Sequence, residues 1–342
     1  MKSIGKIAAI KEFILGEIRP MAPGARIPSR AELMSKCGCS RASVDRAVEE
    51  LTVDGYLFSR QGSGTFVCEP RASRQGIDRL AIIGNFRSQH GIWRFSASLD
   101  RLQRNFPCKL YDWRRVGVNL NRIVRGGTGV LWMYPRYQEL MAMDHIAEFH
   151  IPQLLVFRTF DNYDCISTDA YSSIARGLGW LTGAAGKSVA LITSTADTKH
   201  PYIAERKLCF YELAIRHGIT VPPEWIFCDH PRGIPPRAEM MRKIARKLFC
   251  AGRPCRAVYL DNVFWYEQFL AAAKELDMLP GRDFHLLVFD SPDCDPDGQP
   301  PPGIGWMRQN IEGIDELINR WIASGGRMRL RAKLEAILKT GD

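Results

Sequence analysis

The chain has 342 residues, 46% of them hydrophobic and 25% charged, with a formal net charge of +10 at pH 7. That length exceeds one small core, and the apolar content fills two or three domains, which excludes a disordered chain. The charge excludes less, because residues 1–70 hold ten Lys/Arg against eight Asp/Glu and most of the basic surplus therefore lies further along.

The first predicted helix covers residues 3–18 and ends before Pro20, with Ile7, Ile10, Ile14 and Ile18 on one face. Lys11, Glu12 and Glu17 interrupt any continuous apolar run, which argues against a signal peptide or a membrane span, and no later segment is long and apolar enough to span either. After a Pro-Gly loop at 21–24, Ser29 opens a second helix with Glu32 three residues on, the spacing of a capping box. Cys37-Gly38-Cys39 makes a tight turn. These two thiols have no second Cys/His pair at finger spacing, so they read as packing residues, and neither metal nor cofactor is expected. Ser40 caps a third helix, whose Val44, Ala47, Val48 and Leu51 face inward while Arg41, Ser43 and Arg46 face outward. Strand patterns at 56–60 and 65–68 flank a tip containing Gly62, Ser63 and Gly64. That order is a winged helix-turn-helix, which places a helix end in the major groove of duplex DNA and a hairpin against the backbone or minor groove. The candidate DNA contacts are Ser29, Arg30, Ser40, Arg41, Ser43 and Arg46, with Gly62, Ser63 and Gly64 of the wing.

This module resembles the GntR family of bacterial regulators. The resemblance runs from about residue 6 to 67 and is carried by Pro28, Ser29, Leu33, Ser40, Arg41, Ser43, Val44, Ala47, Leu51, Gly55, Gly62, Gly64, Thr65 and Val67. It implies contacts from Arg41, Ser43 and the wing glycines. Two positions depart from the family pattern. Ala31 stands where an Arg is usual, with Arg30 one place earlier, and Asp45 replaces a second Arg, with Arg46 following. Arg30 and Arg46 are the substitutes on offer, and Asp45 would either repel phosphate or accept a hydrogen bond from cytosine.

Residues 69–79 carry Pro, Gly and charge without periodicity and mark a linker between a domain at 1–68 and another at 80–342. Beyond it, short apolar runs at 80–84, 129–133, 154–157, 188–192, 257–260 and 286–289 alternate with helical patterns. Such runs predict strands buried on both faces of parallel α/β sheets, and their number predicts two lobes. All ten cysteines are irregularly spaced with no C-x-x-C, as expected for reduced thiols in the cytoplasm. Residues 291–303, rich in Pro and Asp, read as a lid rim or an exposed insert.

The larger domain resembles the LacI/GalR ligand-binding fold, itself similar to periplasmic sugar-binding proteins. The resemblance is carried by Ile151-Pro152-Gln153-Leu154-Leu155, Asp169, Ser188-Val189-Ala190-Leu191-Ile192, Glu205-Arg206 with Phe210, Asn262, Val288-Phe289-Asp290 and Trp306-Met307-Arg308-Gln309. It implies an effector cleft lined by Asp169, Arg206, Asn262, Asp290 and Gln309. Asn85 and Phe86, with Trp93, Trp132 and Phe160, fall near expected strand ends and offer a polar group and aromatic faces beneath a polyol.

Together the resemblances imply a cytoplasmic, homodimeric transcriptional regulator, a repressor by its family's commoner mode, binding double-stranded operator DNA and a sugar-like effector. The alternatives are an enzyme fused to a winged helix, or a sugar-binding protein with no regulatory role. No Gly-x-Ser-x-Gly elbow, phosphate-binding glycine loop or His-Glu-x-x-His is present to favour the enzyme.

Overall fold

The computed structural model describes residues 2–18, 20–22, 24–53, 56–60, 63–67, 76–86, 96–124, 126–160, 162–195, 201–229, 237–250, 252, 254–292 and 298–341. Three helices open the chain: α1 (Lys2–Ile18), α2 (Arg30–Cys37) and α3 (Arg41–Val53), followed by a hairpin of β1 (Leu57–Arg60) and β2 (Gly64–Val67). The expected capping box is present: Ser29 N donates to Glu32 Oε2 at 2.6 Å and Glu32 N to Ser29 Oγ at 3.3 Å. Gly38 ends α2 in the left-handed conformation at φ 60°, a geometry that costs glycine nothing. Ile10, Ile14 and Ile18 of α1, Leu33 of α2, Val44, Ala47, Val48 and Leu51 of α3, and Leu57 and Val67 of the hairpin form one buried core, with Cys37 and Cys39 packed at its margin. The hairpin is held to the segment before α2 by Ile27 N donating to Thr65 O (3.0 Å) and Val67 N to Ala25 O (2.8 Å). This orients the wing relative to α3.

Two six-stranded sheets follow. The first has the order β13-β7-β6-β5-β3-β4, with every neighbour parallel: β3 (Arg79–Gly84), β4 (Cys108–Asp112), β5 (Thr128–Met133), β6 (Gln153–Val156), β7 (Asp164–Asp169) and β13 (Arg331–Glu335). The second has the order β14-β12-β11-β10-β8-β9. It comprises β8 (Val189–Ser194), β9 (Ile226–Asp229), β10 (Ala257–Leu260), β11 (His285–Phe289) and β12 (Ile304–Arg308) in parallel, with β14 (Ile337–Thr340) antiparallel at the edge.

Helices cover both faces of each sheet, as parallel sheets require. In the first lobe, α11 (Ile311–Ala323) buries Ile314, Ile318 and Trp321 on one face. On the other, α5 (Val116–Ile123) and α6 (Leu140–Glu148) bury Val116, Ile123, Met143 and Ile146. In the second, α7 (Ala170–Ala185) and α8 (Tyr202–His217) supply Ile174, Leu178, Phe210 and Leu213, while α9 (Arg237–Phe249) and α10 (Tyr266–Lys274) supply Met241, Leu248 and Phe269. The chain passes between lobes three times: from β7 into α7, from β12 into α11, and from β13 into β14.

All six apolar runs read from the sequence are strands. Six strands were not read: the edge strands β4, β9, β13 and β14 and the interior strands β7 and β12. β4, β13 and β14 are partly exposed and carry Lys109, Arg331, Lys333 and Lys339, and only two-faced burial produces a continuous apolar run. In β7 (DCISTD) and β12 (IGWMR) polar residues or glycine break the run although the strands are largely buried. The C-terminal end of the 291–303 segment is pinned to the last strand: Lys339 Nζ donates to Gly298 O (3.1 Å) and Gly303 N to Gly341 O (3.0 Å). Residues 293–297 lie outside the described residues.

Candidate functional sites: a DNA-facing head and an interlobe cleft

On the head, α3 turns Arg41 and Arg46 outward with their side chains 77% and 65% exposed, while Val44 and Val48 anchor the opposite face. Ser40 caps α3, its Oγ accepting from Ser43 N at 3.4 Å and lying 3.0 Å from Ser43 Oγ. Arg30 reaches over from α2: its Nε donates to Asp45 Oδ1 (2.9 Å) and its Nη1 to Thr65 Oγ1 of the wing (3.2 Å). Asp45 also faces Arg41 Nε at 3.7 Å. The two alternatives read for Asp45 from the sequence omitted this third one, in which the carboxylate braces two cations on the outer face of α3. It neutralises like-charge repulsion there and ties α2, α3 and wing together. Gly64 holds φ 115°, a conformation that favours glycine; a Cβ there would also lie 2.7 Å from Arg26 Nε, which the flexible guanidinium could relieve by moving. Ser63 is exposed beside it, and Gly62 lies outside the described residues.

The second candidate is a cleft of about 480 Å³ between the lobes. Its walls are the carboxyl ends of parallel strands, the position where open α/β sheets bind ligands. The second lobe contributes Tyr202 and Arg206 near the start of α8, Asn262 after β10, Asp290 after β11 and Gln309 after β12. Arg206 donates to the Asp261 carbonyl (2.8 Å) and from both Nη atoms to Asp290 Oδ2 (3.3 Å). Its guanidinium lies 3.6 Å from the Phe289 ring centroid and 4.7 Å from that of Tyr202. Gln309 Nε2 donates to Asp290 Oδ1 (2.6 Å), Thr168 Oγ1 of the first lobe donates to Gln309 Oε1, and Asn262 Nδ2 donates to Tyr202 Oη (3.2 Å). Burial alone would depress the Arg206 pKa, but Asp290 and the surrounding tyrosines outweigh it and the net displacement is upward. Beneath it, burial pushes the Asp261 carboxyl up to about 6 despite a hydrogen bond from Thr193.

The first lobe's wall is aromatic. Tyr134 and Phe157 stack at 4.4 Å, Phe160 tilts against Tyr137 at 5.3 Å, and Arg136 lies 3.4 Å above the Trp113 ring while pairing with Glu139 at 2.8 Å. Asn85 and Arg158 complete this side. Tyr134, Phe157 and Asp290 hold positive φ of 52°, 66° and 74° at the ends of β5, β6 and β11. Such strain in residues with side chains is sustained only where the surroundings over-determine it.

Of the residues read from the sequence, the structure brings Asn85, Arg206, Asn262, Asp290, Gln309, Trp132 and Phe160 to this cleft. It does not bring Asp169 or Phe86. Both Asp169 oxygens are taken by Ser172, from its backbone N (3.1 Å) and its Oγ (2.8 Å), so the carboxylate caps α7. Phe86 packs against the first lobe's core. Trp132 offers little more than a ring edge, being 1% exposed with its Nε1 donating to Gln153 at 2.8 Å, and Trp93 lies outside the described residues. Sequence reading missed Tyr134, Arg136, Arg158 and Tyr202. Tyr134 and Arg158 each sit one residue beyond an apolar run already recognised as a strand, and that position was the available signal.

A DNA-reading head joined to a two-lobed binding body defines the class. The model described as "Bacterial regulatory proteins, gntR family" matches residues 8–67. The chain is 47% identical over 66 residues to the histidine utilization repressor of Pseudomonas aeruginosa, covering 19% of this chain and 26% of that protein. It is 37% identical over 76 residues to the arabinose metabolism transcriptional repressor of Geobacillus stearothermophilus, covering 22% and 21%. The matches thus span about a quarter of these relatives' length. Among solved structures, a LacI family transcription regulator from Clostridium acetobutylicum superposes with a TM-score of 0.61 at 14% identity, covering 77% of this chain and 99% of that one. A periplasmic binding protein/LacI transcriptional regulator from Alkaliphilus metalliredigens QYMF, complexed with D-xylulofuranose, gives 0.55 at 14%, covering 76% and 97%. Residues 8–67 are a GntR-family helix-turn-helix domain, and the two lobes have the fold of LacI-family effector domains. The family model is described as one of bacterial regulatory proteins, and the relatives matched over this segment include named repressors.

Proposed function

We propose that the chain is a cytoplasmic, ligand-controlled repressor with a DNA-binding domain at 1–68, a linker at 69–79 and an effector domain at 80–342. Its head reads operator DNA through Arg41, Ser43 and the wing, with Arg30 and Arg46 in support. Its cleft takes a sugar or sugar derivative. The observation that carries this reading is the polar network Arg206–Asp290–Gln309, with Asn262 beside it, facing an aromatic wall across one interlobe cleft. Carboxylate and amide groups serve paired hydroxyls, and aromatic rings cover the C–H faces of a polyol. The families matched at each end include named repressors and a sugar complex, which supports the same reading.

Control follows from the three interlobe crossings. A ligand touching both walls favours one lobe angle, and it acts on DNA only through unequal affinity for the DNA-competent and DNA-incompetent arrangements. Two heads in a homodimer would read two half-sites in dyad symmetry. Leu208 and Ile215, seven residues apart on α8 and 70% and 84% exposed, are apolar spots that a self-complementary interface would cover. The test is selection of genomic fragments by the full chain, followed by titration of monosaccharides and their derivatives against the retained complex. A discrete fragment released by one sugar supports the proposal. Retention of no fragment above random duplex overturns it.

A further inference from the structure

Among the described residues, every charged side chain lining the cleft but one has an opposite charge within ion-pair distance. Arg206 pairs with Asp290, Arg136 with Glu139, and Glu205 with Lys333 at 3.3 Å. The exception is Arg158. Among the described residues it makes no ion pair; its Nη1 donates to the carbonyl of the adjacent Phe157 (2.6 Å), and its Nε is shut from solvent without a partner. The guanidinium lies 5.4 Å from the Tyr134 ring centroid, on its own lobe, and 4.6 Å from that of Tyr202, across the cleft. Tyr202 also carries Arg206, at 4.7 Å. Two guanidinium groups, one from each lobe, therefore share one ring, and Asp290 is already committed to the second of them.

Resting on the reading of the cleft as a polyol site, we propose that the effector is an acidic sugar, whose carboxylate or phosphate is bound by Arg158 while its hydroxyls engage Asp290, Asn262 and Gln309. Asp290 attracts Arg158 through space, but its carboxylate is hydrogen-bonded to Arg206 and Gln309. A partly buried cation without an ion pair of its own is costly, and an anion that brings its own charge lowers that cost. The guanidinium stays charged even though burial depresses its pKa, and its fork suits the oxygens of either anion. An anion there also screens the repulsion between Arg158 and Arg206, so binding itself draws the lobes together. A neutral sugar leaves that repulsion in place. The acidic group thus supplies both selectivity and the drive for closure.

The test is calorimetric titration of the full chain with matched sets: aldoses, their aldonic and uronic acids, their phosphates, and inorganic phosphate and citrate as hydroxyl-poor controls. Expected is at least tenfold tighter binding of an acidic member than of its neutral parent, an advantage that falls with added salt and is lost in Arg158→Gln. Whether the acid or the phosphate wins identifies the anion. Neutral parents that bind as tightly, or an acidic advantage that survives in Arg158→Gln, overturn the inference. If Arg158→Gln does not fold, inorganic phosphate should compete with the acidic ligand in the unaltered chain and not with its neutral parent; equal competition overturns it. Binding of citrate or phosphate through Arg158 with no polyol bound would remove the sugar reading and keep the anion. Binding of nothing in the panel would remove both.

Discussion

Arginine does two different things in this chain, and the contrast between head and cleft shows how placement decides. On α3 the Arg41 side chain is 77% exposed and meets Asp45 at 3.7 Å; in the cleft the Arg206 side chain is 9% exposed and is held by Asp290, the Asp261 carbonyl and two rings. An exposed ion pair is worth about 0–1 kcal/mol, so it is readily exchanged for a DNA phosphate or a base edge. A buried pair cannot be exchanged so cheaply, since breaking it strands a charge away from water. The head is built to let its arginines go to a partner, and the second lobe is built to keep Arg206 in one place.

The largest effect that would break this contrast is in the cleft. Asp290→Ala removes the counter-ion of a buried guanidinium and is expected to destabilise the fold by about 3–5 kcal/mol, read by denaturant unfolding, with loss of effector response and intact binding of DNA by the head. A cost under about 1 kcal/mol would place Arg206 in the same solvated class as Arg41. Next comes a pH signature. Asp261 binds its proton more tightly when folded, at about 6 against 3.8, so the stability it confers is fully present below about pH 4 and is lost as pH rises through 6. The swing is about 3 kcal/mol at most. Asp261→Asn should flatten this part of the stability curve, and an unchanged slope would assign it to other groups.

On the head the expected effects are smaller and fall on binding. Arg41→Ala should weaken specific DNA by about 1–3 kcal/mol with unchanged thermal stability; an unaltered operator affinity would remove Arg41 from the interface. Asp45→Ala should change stability by less than about 1 kcal/mol. Because it frees Arg30 and Arg41 from their brace, it should also alter which sequences are selected from a randomised duplex pool. An identical preference would show that Asp45 has no part in positioning them.

The two regions also differ in how far the sequence discloses them. The head was legible almost throughout, because caps, turn residues and a 3.6-residue apolar period are local signals: the Ser29/Glu32 box, the Gly38 turn and the Val44–Leu51 face all stand where the spacing put them. What spacing could not show was Asp45 reaching Arg30, a contact between two helices. In the cleft, the second-lobe residues Arg206, Asn262, Asp290 and Gln309 were found through short motifs at strand ends. On the first lobe, Tyr134, Arg136 and Arg158 belong to irregular segments with no period of their own; the place of Tyr134 and Arg158 just past a strand run was the one signal for them, and Arg136 had none. Asp169 was misread because a carboxylate at a helix start serves a cap as well as a ligand, and only the Ser172 contacts decide between them.

The claim that joins the two regions is that effector and operator bind to one coupled molecule. The direct measurement is the affinity of the identified effector for the free chain and for the chain saturated with its selected operator, alongside operator affinity with and without effector. Coupling requires both ratios to be the same factor, about 5–150-fold. An effector that binds with equal affinity whether or not DNA is present would contradict it.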